Sequence, residues 1–308
     1  MHHHILPPKY IEVARERLLQ FAPNYASVLD WQPQQSIEQM DKYGIQTAMT
    51  SLSNPGTWFG NAGEARQLAR MSNEYAADMT RDYPGRFGVF AALCLPDVEG
   101  SLAEIAYAYD TLKVDGIALQ TSYGDKWPGD AAFVPVFEEL NHRGATVYFH
   151  PTAPDCCSAL LPDVPAPAIE YMFDTTRAIT SLLFSGSLSR WTNIKFIFSH
   201  SGGATAPIVE RIVRLASIDK VVLARMPEGP LADLKRLYFD TGSSTAPENL
   251  GAIMRLSGPG KILFGTDYPF LPVQATLPGL LKMGFDADVA TGIERGNALQ
   301  LFPRLRNQ

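Results

Sequence analysis

Short, mostly apolar runs alternate along the chain with longer stretches whose apolar positions fall three and four apart. Seven of the short runs read as strands: TAMTSL from Thr47, FGVFAAL from Phe87, GIALQT from Gly116, TVYFHP from Thr146, KFIFSH from Lys195, LYFDTG from Leu237 and ILFGTD from Ile262. Between them, stretches such as 63–83 and 134–144 carry the spacing of helices. Gly85, Gly144 and Gly260 precede strands, where loops that end helices are expected. Strands alternating with helices imply βαβ units and a parallel sheet. No low-complexity tract, charge block or Ser/Gly linker divides the chain, so residues 1–308 read as one domain.

Seven strands are one short of a (β/α)₈ TIM barrel. The chain opens MHHHILPPKY, and if the histidines stand at the end of a first strand, the count becomes eight. Most of that strand would then be missing, which predicts two exposed sheet edges and loosely held histidines. An open doubly wound sheet is the alternative, but no G-x-G-x-x-G turn supports a dinucleotide fold. A barrel places its chemistry at the C-terminal ends of the strands.

Composition narrows the class. The 308 residues are 46% hydrophobic and 19% charged, with a formal net charge of −6, ordinary for a globular protein with a substantial core. The mild acidity argues against a nucleic-acid or membrane-surface protein. No apolar run is long enough to span a bilayer. The first residues lack the basic start and apolar middle of a signal peptide. Three cysteines, Cys94 and the adjacent Cys156 and Cys157, make no disulfide framework and suit a reducing cytoplasm.

The polar residues fall where a barrel would use them. His150 ends the fifth strand, His200 the sixth and Asp267 the eighth, while His2 and His4 would end the first. In an extended strand His2 and His4 point to one side and His3 to the other, so the pair can chelate one ion. Imidazole and carboxylate suit Zn²⁺ and similar divalent ions. The plainer readings are a tag remnant at the start and buried histidines that merely satisfy the core; their joint placement with Asp267 at strand ends favours a metal site. His142, in a helix-end NHRG, reads as a surface residue.

HHHILPP, HPT (150–152), SHSGGATAPIVER (199–211), GTDYPF (265–270) and RGNALQLF (295–302) together resemble the amidohydrolase-related metal-dependent decarboxylases, over essentially the whole chain. The nearest types are the aminocarboxymuconate-semialdehyde, 6-methylsalicylate and γ-resorcylate decarboxylases. The resemblance implies a barrel of the metal-dependent hydrolase type, with His2, His4, His150 and Asp267 as metal ligands and His200 as the acid/base histidine. Arg211 matches an arginine that reaches the neighbouring subunit's site and binds a substrate carboxylate, which implies a homodimer. The stretch LDWQPQQSIEQMD (29–41) holds no counterpart of the family's second carboxylate-binding arginine, which points to a monocarboxylic substrate. The γ-resorcylate type usually has glutamate where this chain has His2, which leans toward Zn²⁺ over Mn²⁺.

Loss of CO₂ from an aromatic or enoic acid leaves negative charge on carbon. A divalent ion that anchors the carboxylate and a neighbouring hydroxyl, with an acid to protonate the carbon, makes the reaction accessible. His200 is suited to proton exchange near neutral pH; the resemblance to the salicylate-type decarboxylases implies that Asp267, as ligand and proton donor, protonates the ring carbon. Trp58, Tyr268 and Phe270 follow strand ends and are candidates for an aromatic slot around a flat substrate; Ser243 and Ser244 are candidates for the pocket wall. Hydrolysis of a lactone or amide by the same residues is the second reading, and a truncated barrel that binds no metal and serves as a binding or inert protein the third.

Overall fold

The computed structural model describes residues 1–21, 23–157, 161 and 163–307. Eight strands lie in one parallel sheet in strict chain order: β1 (His3–His4), β2 (Ala48–Ser51), β3 (Phe87–Ala92), β4 (Gly116–Gln120), β5 (Thr146–His150), β6 (Lys195–Phe198), β7 (Tyr238–Asp240) and β8 (Ile262–Leu263). The strands are nearly all buried throughout because helices cover their outer face and side chains fill the inside, which is why they read as apolar runs. Helices include α1 (Pro8–Phe21), α2 (Pro33–Tyr43), α3 (Ala62–Asp82), α4 (Val98–Tyr107), α5 (Val134–His142) and α6 (Ala166–Phe184). In α3, Asn61 caps the first turn by accepting from the Glu64 N–H. Its buried positions, among them Ala65, Leu68, Ser72, Ala76 and Met79, recur at helical spacing and face the sheet.

Strand alternation separates two cores. Phe149, Phe196, Phe198 and Phe239 point outward into the helix layer. Met49, Phe90, Ala118, Tyr148, Ile197 and Leu263 fill the barrel interior, and Phe302 and Leu305 from the C-terminal segment pack with them. Two residues beyond Tyr148 and Tyr238, on the same inward face, stand His150 and Asp240 at the strand ends. The core layer therefore serves as the floor of the polar site.

The first strand corrects one expectation. It is only two residues long, yet it leaves no loose edge at the histidines. His3 and His4 pair with Thr50 and Ser51 of β2. On the other side the His4 N–H donates to the Tyr268 carbonyl at 2.7 Å, and the Thr266 and Asp267 N–H groups donate to the His2 carbonyl at 3.2 and 3.0 Å. The segment after β8 thus closes the barrel against β1. His3, turned outward, meets the Ser36 hydroxyl of α2 at 2.8 Å, and the same oxygen accepts from the Trp31 indole at 3.0 Å. His2, His3 and His4 are all buried.

Candidate metal centre

Four of the five residues placed at strand ends by the sequence converge on one point. The ligating atoms of His2, His4, His150 and Asp267 all lie within 4.8 Å of one another. His2 Nε2 is 2.9 Å from His4 Nε2, and the two stand 3.1 and 3.2 Å from Asp267 Oδ1. An ion about 2.1 Å from each donor holds neighbouring donors about 3–4 Å apart, so the cluster has the dimensions of a coordination sphere.

The outer nitrogens fix the direction of the lone pairs. His150 Nδ1 lies 2.9 Å from the Pro151 carbonyl, His4 Nδ1 3.3 Å from the Ser51 carbonyl, and His200 Nδ1 2.7 Å from the Gly242 carbonyl. A carbonyl only accepts, so each Nδ1 carries the proton and each Nε2 presents its lone pair. His2 Nδ1 donates likewise to the Asp240 carboxylate at 3.2 Å. The Nε2 lone pairs of His2 and His4 thus face each other and a carboxylate oxygen. That arrangement is repulsive until a cation or a proton sits among them. Without an ion the proton goes to His2: burial opposes the charge, but Asp240 and Asp267 outweigh it and hold its pKa up at about 10. Asp267 resists burial in the same way, kept well below the usual carboxylate range chiefly by His2. Burial, reinforced by the neighbouring imidazoles, lowers His150, and it also lowers His200.

His200 stands beside the set, its ring 4.8 Å from that of His2 and 5.8 Å from that of His150. Backbone strain concentrates here. His200, Ser201, Ser243 and Asp267 all adopt φ between 52° and 65°, a left-handed conformation that costs non-glycine residues about 1–2 kcal/mol each. Glycine is required at two contacts with His2. A Cβ on Gly265 would stand 2.7 Å from the His2 Cβ, and one on Gly242 2.4 Å from its Nδ1.

Asp240 was not among the residues singled out by the sequence. It is fully buried and accepts from four donors: His2 Nδ1, the His200 and Gly242 N–H groups, and the Tyr148 hydroxyl at 3.0 Å. Its signal was present in LYFDTG, two residues after the inward Tyr238.

A pocket opens onto the cluster, lined by Leu18, Ser53, Asn54, His150, Tyr171, Asp267 and Phe270. Phe270 sets its ring 5.4 Å from His4. The other two aromatic candidates lie elsewhere, which corrects the expected slot. Trp58 packs against Ala65, Ala69 and Cys94. Tyr268 alternates with Asp267 and so turns outward, its ring 5.2 Å from that of the outward His3 and tilted 35° to it, its hydroxyl donating to the Gln35 carbonyl at 3.5 Å. Tyr171 from α6 takes a place in the pocket instead. Ser243 and Ser244 do not line it; the Ser244 hydroxyl accepts from Asn249. Arg211 is exposed on α8 (Thr205–Ile218; α7 is Ser187–Arg190) and does not line the pocket of its own chain. Cys94 is buried, Cys156 exposed, and all three cysteines are free.

The amidohydrolase family profile matches residues 1–304. The chain belongs to this family. Among similar proteins, "Decarboxylase yanB" of Aspergillus niger is 35% identical, with 99% of this chain and 87% of that protein covered. The 6-methylsalicylic acid decarboxylase of Penicillium expansum is 32% identical, covering 99% and 96%. A solved dihydroxybenzoic acid decarboxylase from Polaromonas sp. JS666, with bound manganese, superposes with a TM-score of 0.84 at 23% identity, over 99% of this chain and 96% of that one. Its likeness supports the closed (β/α)₈ fold. No helix among the described residues is long and apolar enough to cross a membrane.

Proposed function

We propose that this chain is a metal-dependent, non-oxidative decarboxylase of a small aromatic carboxylic acid of the salicylate type. The observation that carries the reading is the meeting of imidazole lone pairs and the Asp267 carboxylate at the mouth of a small, partly aromatic pocket. The similarity of the whole chain to decarboxylases supports the reaction class. His2, His4, His150 and Asp267 are the proposed ligands. We take Zn²⁺ as the first candidate, since three imidazoles and a carboxylate suit it, and Mn²⁺, held by the Polaromonas relative, as the second. The bound ion supplies Lewis-acid stabilisation and a template for the substrate's carboxylate and adjacent hydroxyl.

The chain's own residues then have distinct tasks. Leu18, Phe270 and Tyr171 hold a flat ring. Among the described residues the pocket lining contains no lysine or arginine, which favours a substrate with a single carboxylate. Asp267, which borders both the ligand cluster and the pocket, delivers a proton to the ring carbon that bears the carboxylate. The bond from that carbon to the carboxylate then breaks, its electron pair returns to the ring, and CO₂ leaves. His200, with its Nδ1 proton fixed on Gly242, keeps Nε2 available to exchange the proton that Asp267 needs.

Two finer points belong to this reading. Ile208, Leu215 and Ile218 are 38, 40 and 69% exposed and flank Arg211 at helical spacing on α8, an apolar stripe suited to a second copy of the chain. We assign a homodimer in which Arg211 serves the neighbouring site. The three free cysteines fit a reducing cytoplasm. The test is incubation of the metal-loaded protein with 2-hydroxy-6-methylbenzoate. Release of 3-methylphenol and CO₂ in equal amounts supports the reading; hydrolysis of lactones or amides without CO₂ release replaces it with the hydrolase reading.

A further inference from the structure

We infer that a cavity at the N-terminal end of the barrel, between the starts of β6, β7 and β8, is a binding site for a small phosphate-type dianion, either free phosphate or a phosphate monoester. Lys195 opens β6, Tyr238 opens β7, and Lys261 immediately precedes β8. These three line one cavity of about 120 Å³ together with Trp191, Asp233 and Arg236. His4, His150 and Asp267 stand at the other end of the barrel, at or beyond the C-terminal ends of β1, β5 and β8, so this site is separate from the proposed metal centre. The inference does not depend on the decarboxylase reading.

The lining holds more donors than its one acid consumes. Asp233 is buried and already engaged, accepting from the Ser189 hydroxyl and from Arg236 Nη2 at 2.7 Å. The same Nη2 donates to the Leu188 carbonyl, which fixes the guanidinium and leaves its Nε and Nη1 without a partner among the described residues. Lys261 is held at the wall, its Nζ 4.0 Å from the centre of the Tyr238 ring. Neither Lys195 nor Lys261 forms an ion pair among the described residues. Three cations against one carboxylate leave a net positive cavity in a chain whose formal net charge is −6, and the excess matches a dianion. Trp191 supplies an independent observation. It is 3% exposed, with its ring stacked on Phe137 at a centroid distance of 4.9 Å, yet its indole Nε1 has no hydrogen-bond partner among the described residues. A buried indole N–H as a rule finds an acceptor, because leaving it unpaired costs the hydrogen bond it made in water. An anion in the cavity that Trp191 lines supplies that acceptor. The charged donors and the orphaned neutral one thus call for the same ligand.

The test titrates inorganic phosphate, phenyl phosphate and acetate into the metal-loaded protein, freed of excess metal, by calorimetry at about pH 8, where phosphate is a dianion. The expected result is about one saturable site per chain for one or both phosphates, with a Kd of about 1 mM or tighter and acetate at least about tenfold weaker. The tighter of the two phosphates names the source. Replacing both lysines, Lys195→Gln with Lys261→Gln, weakens binding at least about tenfold, and Trp191→Phe weakens it about fivefold. Metal content and the melting temperature in phosphate-free buffer stay in place in both variants, and His150→Ala keeps the phosphate affinity. No saturable site, or acetate binding as tightly as phosphate, overturns the inference. Binding that survives the double lysine replacement and disappears in His150→Ala puts the anion on the metal and overturns it as well. An affinity unmoved in a folded Trp191→Phe protein reduces the effect to surface charge and removes the cavity as the site. Neither lysine is buried, so their double variant decides the question even if Trp191→Phe fails to fold.

Discussion

Replacing Asp240 by asparagine separates the support of the metal set from the set itself. Asp240 Oδ1 accepts from His2 Nδ1 at 3.2 Å, the His200 N–H at 3.2 Å and the Gly242 N–H at 2.8 Å, while Oδ2 accepts from the Tyr148 hydroxyl. Alanine would strand four buried donors at about 1–3 kcal/mol each, enough to threaten the fold. Asparagine avoids this. Its oxygen takes the place of Oδ1, and the Tyr148 hydroxyl turns to accept from the new amide nitrogen. The shape is kept and the charge is lost. His2 Nδ1 keeps an acceptor, so its tautomer holds, but it loses the carboxylate charge that raises the basicity of Nε2, a loss of about 10–100-fold in metal affinity, equivalent to about 1.4–2.8 kcal/mol. In the ion-free protein the same change lowers the pKa of His2 from about 10, because Asp240 is the leading group that raises it. Competitive chelator titration gives the affinity, and thermal unfolding checks that the fold survives. A folded Asp240→Asn protein that binds Zn²⁺ and Mn²⁺ as tightly as the wild type refutes the assignment of His2 as a ligand supported by Asp240.

Two further outcomes follow from the same geometry. Burial, reinforced by the neighbouring histidines, holds the pKa of His3 down at about 3, against an ordinary value of 6.5. Unfolding below pH 6.5 therefore takes up a proton, and stability falls as the pH drops from 6.5 toward 3, by up to about 1.4 kcal/mol per pH unit from this group; His3→Gln flattens that part of a stability-versus-pH curve measured in denaturant, and an unchanged slope contradicts it. Ile218→Asp puts a charge into the exposed stripe on α8 and is expected to convert a dimer to monomer in light scattering, with activity falling at least tenfold if Arg211 serves the neighbouring site; a wild type that is itself monomeric removes the dimer from the account.

Seven strands were legible in the sequence because a parallel barrel buries both faces of each strand and so writes apolar runs. β1 was legible only through its chemistry. Two histidines carry no strand signal, and their conformation is imposed by main-chain bonds to β2 and to the segment after β8. For the same reason the edges expected from a shortened strand do not appear. The inward face of each strand could be followed to its end, which brought out His150 and, had the alternation been carried through LYFDTG, would have brought out Asp240. Loop and helix contributions left no such trace. Trp58 and Tyr268 follow strand ends as closely as Phe270 does, yet side-chain direction after the last strand residue depends on each turn, and only Phe270 enters the pocket. Leu18, Asn54 and Tyr171 reach it through the placement of α1, the loop after β2 and α6, which is set by packing distant in sequence.

The central claim is that His2, His4, His150 and Asp267 hold a divalent ion. Elemental analysis of the wild type and of His150→Ala, both purified without added metal, tests it most directly. The account predicts about one Zn²⁺ or Mn²⁺ per chain in the wild type and its loss in the folded variant. A wild type that takes up no metal even when it is supplied, or a His150→Ala protein that keeps its full complement, would contradict it.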